Sequence, residues 1–198
     1  SIVAMAKLIF VRHGESEWNA KGVWTGLTDI SLSEKGREEA ILAGSKLKNS
    51  KIDLAYTSPL IRAKQTLSEI KNVLNLSNLE TIENLALNER DYGELTGKNK
   101  WQIEEEVGRD KFQKIRRGWN TPIQNGETLK DVYNRVVPYY QSEILPKLQE
   151  GKNILIVAHG NSLRALVKYL ENISDYGVEN LEIATGEIYI YNIDYNGK

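Results

Sequence analysis

Apolar residues along this chain fall into two rhythms. Short unbroken runs, clearest at Leu8-Ile9-Phe10-Val11 and Ile154-Leu155-Ile156-Val157-Ala158, alternate with longer stretches in which apolar positions recur every three or four residues. A short apolar run bounded by polar residues reads as a strand covered on both faces. Recurrence at three and four reads as one buried face of a helix. Strands are therefore expected at 7–12, 53–57, 80–83, 153–158 and 187–193, and helices at 31–48, 58–75, 126–149 and 161–171. Ser31 and Glu34 stand at capping-box spacing, and Ser58-Pro59 reads as a cap followed by a first-turn proline. Pro138 lies inside the pattern formed by Leu129, Val132, Val136, Tyr140, Ile144 and Leu148, and is expected to bend or break that helix. The polar stretch 88–120 is expected to be a loop with two short helices.

Alternating strands and helices predict an α/β fold, a three-layer sandwich with a mostly parallel central sheet flanked by helices. No repeat, low-complexity tract or long linker divides the chain, so one domain over 1–198 is expected. Residues 1–4 read as an addition ahead of it. In open sheets of this kind ligands sit beyond the carboxyl ends of the strands. The positions just past Val11, Thr57, Glu83 and Ala158 are where chemistry is to be sought.

Composition narrows the field. A chain of 198 residues buries enough surface to need no covalent staples. The absence of cysteine excludes disulfides, thiolate metal sites and a cysteine nucleophile, and makes a cytoplasmic setting the expectation. Lys plus Arg number 26 against 27 for Asp plus Glu, which argues against a nucleic-acid partner. No apolar run approaches the ~20 residues of a membrane span, and Lys7 interrupts the opening SIVAMAKLIFV, which reads as a strand rather than a leader. A small-molecule partner remains, with monomer and homodimer both open.

The chain holds two histidines, in matching places: Val11-Arg12-His13-Gly14 and Ala158-His159-Gly160-Asn161. Each follows an apolar strand and precedes glycine at the carboxyl edge of the sheet. Either one alone reads equally well as a hydrogen-bonded structural residue; the pair at one edge favours a site. The further ligands of a metal site, as in H-E-x-x-H, are missing, as are G-x-S-x-G, a P-loop and G-x-G-x-x-G. A histidine is itself a competent covalent nucleophile. Arg12 and Arg62 lie close enough in the pattern to reach the same edge, and guanidinium forks match phosphate oxygens. Two guanidiniums and a second imidazole around His13 make a socket for a phosphoryl group. Backbone N–H groups after Gly14 and Gly160 are expected to add donors, glycine permitting close approach. Phosphoryl transfer through a phosphohistidine, with no metal, is the predicted chemistry.

These residues carry a resemblance. The segment 8–19 (LIFVRHGESEWN) resembles the signature of the histidine phosphatase superfamily. Trp24-Thr25-Gly26, Leu32-Ser33-Glu34-Lys35-Gly36, Tyr56-Thr57-Ser58, Arg62-Ala63, Leu87-Asn88-Glu89-Arg90, Tyr92-Gly93, Asn99-Lys100, Arg116-Arg117-Gly118 and 158–170 (AHGNSLRALVKYL) narrow it to the phosphoglycerate mutases primed by 2,3-bisphosphoglycerate. The resemblance implies the fold of those enzymes, a place in glycolysis and gluconeogenesis, and interconversion of 3-phosphoglycerate and 2-phosphoglycerate with 2,3-bisphosphoglycerate as primer and no metal. It implies that His13 carries the phosphoryl group, that Arg12, Arg62 and His159 clamp it with Asn19, Gly160 and Asn161, and that Glu89 is the general acid/base. It assigns Ser16, Thr25, Gly26, Arg90, Tyr92, Lys100, Arg116 and Arg117 to the substrate's carboxylate and second phosphate. Read on its own, Glu89 falls just beyond the third expected strand, at the same sheet edge, where a carboxylate can move a proton, with a structural ion pair to Arg90 as the other reading; the basic residues of 98–117 read otherwise as a solvated helical face.

Two departures from the longer mutases stand out. The segment between Arg116-Arg117-Gly118 and the next helix is short, in the manner of phosphatase members and short mutases, and the chain stops at Lys198 without a covering tail. Easier access of water to a phosphohistidine predicts some hydrolytic leak. A phosphomonoesterase using the same pocket is the alternative. A catalytically silent binding protein is disfavoured by the complete socket.

Overall fold

The computed structural model describes residues 5–198, and the reading of residues 1–4 lies outside them. Five strands form one sheet in the order β3-β2-β4-β1-β5: β1 (Met5–Arg12), β2 (Leu54–Thr57), β3 (Thr81–Glu83), β4 (Ile154–Ala158) and β5 (Ile188–Asp194). β1, β2, β3 and β4 run parallel, and β5 alone is antiparallel, against β1. Alternation of side chains along a strand divides the core. Leu8 and Phe10 of β1 with Ile154 and Ile156 of β4 face one layer; Ile9, Val11, Leu155 and Val157 face the other.

The first layer comprises α6 (Leu129–Tyr139), α7 (Leu145–Gln149) and α8 (Gly160–Glu171), which bring Val132, Val136, Leu148, Leu163 and Leu166 onto the sheet. The second comprises α2 (Glu34–Lys46) and α3 (Ile61–Leu74), bringing Ala43, Leu67 and Ile70. A short α1 (Glu17–Ala20) follows β1. The polar stretch 88–120 carries α4 (Lys100–Val107) and α5 (Arg109–Arg117), as expected. It closes a third, smaller apolar cluster of Trp24, Tyr92, Ile103, Phe112, Ile115 and Ile123.

Three local expectations are corrected. The cap of α2 is Ser33, whose hydroxyl accepts from Gly36 N, and not Ser31. The helix after β2 begins at Ile61 without a side-chain cap, because the Ser58 hydroxyl is bonded to His159. The 126–149 segment begins at Leu129, where Thr128 and Asp131 form a reciprocal capping box. Its helix is not interrupted at Pro138 but rewinds over Tyr140–Ile144 into a wider π turn. Pro138 and Pro146 each withhold a backbone N–H, and a single π turn absorbs such a mismatch without breaking the helix.

Because the four parallel strands share a direction, Arg12, Thr57, Glu83 and Ala158 end on one edge; Arg12 is in register with Ala158, and Thr57 with Val157. Every candidate at that edge is therefore brought into one neighbourhood by the sheet.

Candidate active site

His13 N donates to Ala158 O at 3.0 Å, extending the ladder between β1 and β4 by one residue and fixing both histidines side by side. Their rings lie 4.9 Å apart at 61°, and both are buried. His13 Nδ1 lies 2.6 Å from Gly14 O. A carbonyl only accepts, so Nδ1 carries the hydrogen and Nε2 carries the lone pair. Burial, then Arg62 and Arg12, hold the His13 imidazolium well below the ordinary histidine range, with the Gly14 contact opposing. Burial, Arg62, His13, Arg12 and Arg135 do the same for His159. Both rings are neutral near pH 7, and His13 offers an unprotonated nitrogen.

The guanidiniums are locked by carbonyls. Arg12 donates to Ile183 O at 2.6 Å; Arg62, on the first turn of α3, donates to Gly26 O at 2.6 Å and Thr28 O at 2.8 Å. Among the described residues neither side chain forms a salt bridge, which leaves their positive charge free to face an anion. Arg12 Nε is buried and, among the described residues, has no hydrogen-bond partner. Buried polar groups are rarely left so, and an orphan guanidinium nitrogen beside His13 suits an anion's oxygen.

Glu89 Oε1 accepts from Arg90 N at 2.7 Å and Asn161 N at 3.1 Å. That leaves Oε2 as the oxygen available for proton exchange; a Cβ added at Gly160 would lie 3.7 Å from it and 3.4 Å from Arg12 Cζ. The loop carrying Glu89 is tied down by Arg135, which donates to the carbonyls of Ala86, Asn88 and Glu89 and pairs with Glu127.

One small cavity, of about 90 Å³, collects Arg12, His13, Asn19, Thr25, Gly26, Arg62, Glu89, Tyr92, Lys100, Arg116, Arg117, Gly160 and Asn161. It is far below the volume of a drug-sized pocket and suits a compact, highly charged ligand. Lys100 comes from the start of α4, and Arg116 and Arg117 from the end of α5. Burial, followed by Arg116, Arg12 and Arg117, pushes the Lys100 ammonium down to about 8, with Glu89 acting in the opposite sense. Asn161 Nδ2 donates to the Tyr92 hydroxyl at 2.7 Å, joining α8 to the segment that bears these cations.

Three expected residues do not line the cavity: His159, fully buried with its ring beside that of His13, Ser16 and Arg90. The Ser16 hydroxyl accepts from Asn19 N at 3.0 Å, and Asn19 Oδ1 accepts from Ser16 N at 2.9 Å, a capping box that starts α1. Ser16 thus orients Asn19 rather than lining the space. Arg90 is fully buried and donates to Glu127 O, Ile115 O and Thr121 O, which makes it an internal brace. The backbone donors expected next to the glycines are likewise spent within the protein: Gly14 N on Thr66 Oγ1, Glu15 N on Glu39 and Asn161 N on Glu89.

The sequence reading missed Arg164, which lines the cavity and donates to Asn161 Oδ1 and to the carbonyls of Arg117, Val178 and Leu181. Its position one helical turn beyond Asn161 was the available signal. It also missed Ser58, whose place just past β2 matches those of His13 past β1 and His159 past β4.

Residues 8–198 match the family model of the histidine phosphatase superfamily (branch 1). The chain is 48% identical over 189 residues to the 2,3-bisphosphoglycerate-dependent phosphoglycerate mutase of Chelativorans sp., covering 94% of this chain and 92% of that protein. It is 45% identical over 193 residues to the phosphoglycerate mutase of Schizosaccharomyces pombe, covering 96% and 92%. Among solved structures, Bacillus stearothermophilus YhfR superposes with a TM-score of 0.80 at 28% identity over 93% of this chain and 90% of that one. The mycobacterial glucosyl-3-phosphoglycerate phosphatase shares the fold, with a TM-score of 0.80 at 23% identity over 98% and 94%.

Proposed function

The chain belongs to the histidine phosphatase superfamily (branch 1), and from that membership and its mutase relatives we propose that it interconverts 3-phosphoglycerate and 2-phosphoglycerate by phosphoryl transfer through His13. The observation that carries this reading beyond simple phosphate removal is the second set of cations. Lys100, Arg116 and Arg117 line the same cavity as His13, Arg12 and Arg62. Hydrolysis needs a grip on one phosphate; a mutase must hold two on one small molecule. Bound 2,3-bisphosphoglycerate supplies the phosphoryl group that primes His13. The unpartnered Arg12 Nε and the cations from α4 and α5 fit that doubly phosphorylated acid.

The steps follow from the geometry. His13 Nε2 attacks phosphorus in line, the phosphorus–oxygen ester bond breaks, and the leaving alkoxide takes a proton from Glu89 Oε2. In the reverse sense Glu89 accepts the proton of a substrate hydroxyl while that oxygen takes the phosphoryl group from His13. Arg12, Arg62 and His159 stabilise charge on the equatorial oxygens, a role for preorganised donors in a dry site. Lys100, Arg116 and Arg117 hold the carboxylate and the phosphate that is not reacting.

The test follows 2-phosphoglycerate formed and inorganic phosphate released from 3-phosphoglycerate, with and without catalytic 2,3-bisphosphoglycerate. Isomerisation that rises sharply with the bisphosphate and outruns phosphate release is the expected result. Phosphate release without isomerisation would make the protein a phosphomonoesterase.

A further inference from the structure

Arg164 is fully buried and borders the cavity, yet it has no part in the transfer just described. From one turn beyond Asn161 on α8, its Nη1 donates to Asn161 Oδ1 at 2.9 Å, while Nε and Nη2 donate to the carbonyls of Leu181, Arg117 and Val178 at 2.8 Å each. Asn161 Nδ2 in turn donates to the Tyr92 hydroxyl oxygen at 2.7 Å. We infer that Arg164 is a positioning residue for substrate binding: by fixing which way the Asn161 amide points, it makes the Tyr92 hydroxyl accept from the protein and keeps the phenolic hydrogen for an oxygen of the substrate.

Polarity runs one way along this series of bonds. A guanidinium has donors only, so the amide atom facing Arg164 is the oxygen; the reverse orientation would set N–H against N–H. The amide nitrogen then faces Tyr92 and donates, which occupies a lone pair of the phenol and leaves its hydrogen unspent. Among the described residues the Tyr92 hydroxyl has no other hydrogen-bond partner, and Tyr92, Asn161 and Arg164 all border the cavity. Arg12, Arg62 and Arg116 lie within electrostatic reach of that phenol, so its hydrogen is kept among the cations that face the substrate's anionic groups. The ring itself is held between Arg90, 5.2 Å from its centroid, and Trp24 at 6.0 Å. Turned over by 180°, the amide would offer Oδ1 to Tyr92, and the phenol would spend its hydrogen on Asn161. A phosphate or carboxylate oxygen would then meet only lone pairs at that hydroxyl. Three carbonyls fix the plane of the Arg164 fork, and the fork fixes the amide.

This inference rests on the mutase reading for its substrate, and the experiment keeps the two separable. Affinity for 3-phosphoglycerate is measured by calorimetry on the full chain. Tyr92→Phe should weaken it about 10- to 10²-fold, as loss of one hydrogen bond to a charged group does. Asn161→Asp keeps one oxygen for Arg164 and offers the other to Tyr92, drawing the phenolic hydrogen away from the ligand. In that background Tyr92→Phe should cause no further loss. Arg164→Met, which frees the amide to turn, should weaken binding in the native chain and leave Tyr92→Phe with little further effect. A purely structural role for Arg164 would instead leave the full cost of Tyr92→Phe in place, and that result overturns the proposal. So does native affinity in a folded Arg164→Met chain or in the Tyr92→Phe chain. If Arg164→Met fails to fold, an equal cost of Tyr92→Phe with and without Asn161→Asp overturns it on its own. If isomerisation fails while 3-phosphoglycerate still binds, the mutase reading falls and the affinity ratios decide this one; if it does not bind, both fall.

Discussion

Gly14 and Gly36 meet backbone to backbone. A Cβ built on Gly14 would fall 2.1 Å from Gly36 O, and one built on Gly36 would fall 1.9 Å from Glu15 O. This contact presses the start of α2 onto the turn that follows His13, and Glu39 on the same helix takes Glu15 N at 2.8 Å. A methyl at either glycine has backbone, not a flexible side chain, in its way. Gly36→Ala should therefore destabilise the fold by about 3 kcal/mol or more, beyond the ordinary cost of overpacking, and lower Tm by roughly 6–12 °C in a domain of this size. Thermal unfolding followed by circular dichroism checks it; a Tm within a degree or two of the native value would refute the contact.

The proposed nucleophile, His13, has a direct chemical signature. His13→Ala should abolish both turnover and acid-labile phosphate on the protein after incubation with labelled 2,3-bisphosphoglycerate. Robust residual label in that variant would move the covalent step to another residue.

Glu89 is predicted to act through Oε2 alone, since Oε1 is engaged by Arg90 N and Asn161 N. Glu89→Gln can preserve both of those bonds through its amide oxygen while losing the exchangeable proton. Transfer should slow by roughly 10²–10⁴-fold with Tm and substrate binding nearly native. A normal kcat would leave Glu89 a structural acceptor only.

How much of this was legible beforehand depends on what kind of contact carried the information. The strands and main helices followed from apolar periodicity, because Leu8, Phe10, Ile9 and Val11 divide between two covering layers. The sheet edge then gathered His13, His159, Arg12, Arg62 and Glu89 as expected. What escaped was the use of polar groups in three dimensions. Ser58 has the sequence appearance of a helix cap, yet its hydroxyl goes to a residue 101 positions away. Arg90 resembles another substrate cation, yet three carbonyls from separate segments consume it. Periodicity reports which residues are buried; it carries nothing about which distant acceptor a buried donor meets.

Lys100 should confer an alkaline limit on catalysis. Its ammonium is pushed down to about 8, chiefly by burial and then by Arg116, Arg12 and Arg117. The charged form is the one proposed to hold phosphate, and it is lost as pH rises through about 8 in the free enzyme. Hence kcat/KM should decline above pH 8. Lys100→Arg, which stays charged, should flatten that decline in a pH–rate profile; an unaltered profile would assign it elsewhere.

The two imidazoles make the opposite prediction for stability. Both are held below the ordinary histidine value of about 6.5, so the unfolded chain binds more protons than the folded one beneath that pH. Their contribution is intact above about 6.5 and is lost as pH falls toward the folded values, at up to about 1.4 kcal/mol per pH unit for each ring. Urea unfolding at pH 7.0 and 5.5 should show a smaller loss for His13→Asn than for the native protein. Equal losses would mean that His13 is not held neutral by its surroundings.

The small cluster of Trp24, Tyr92, Ile103, Phe112, Ile115 and Ile123 has a consequence for how the molecule breathes. Lys100, Arg116 and Arg117 ride on a packing unit distinct from the two layers that cover the sheet. Amide hydrogens of α4 and α5 should accordingly exchange through a sub-global opening of lower free energy than the unfolding that exposes β1 and β4. A doubly charged ligand spanning both units ties the cheaper opening to the dearer one. On the proposed mechanism, the molecule that primes His13 would also clasp two cooperative blocks together.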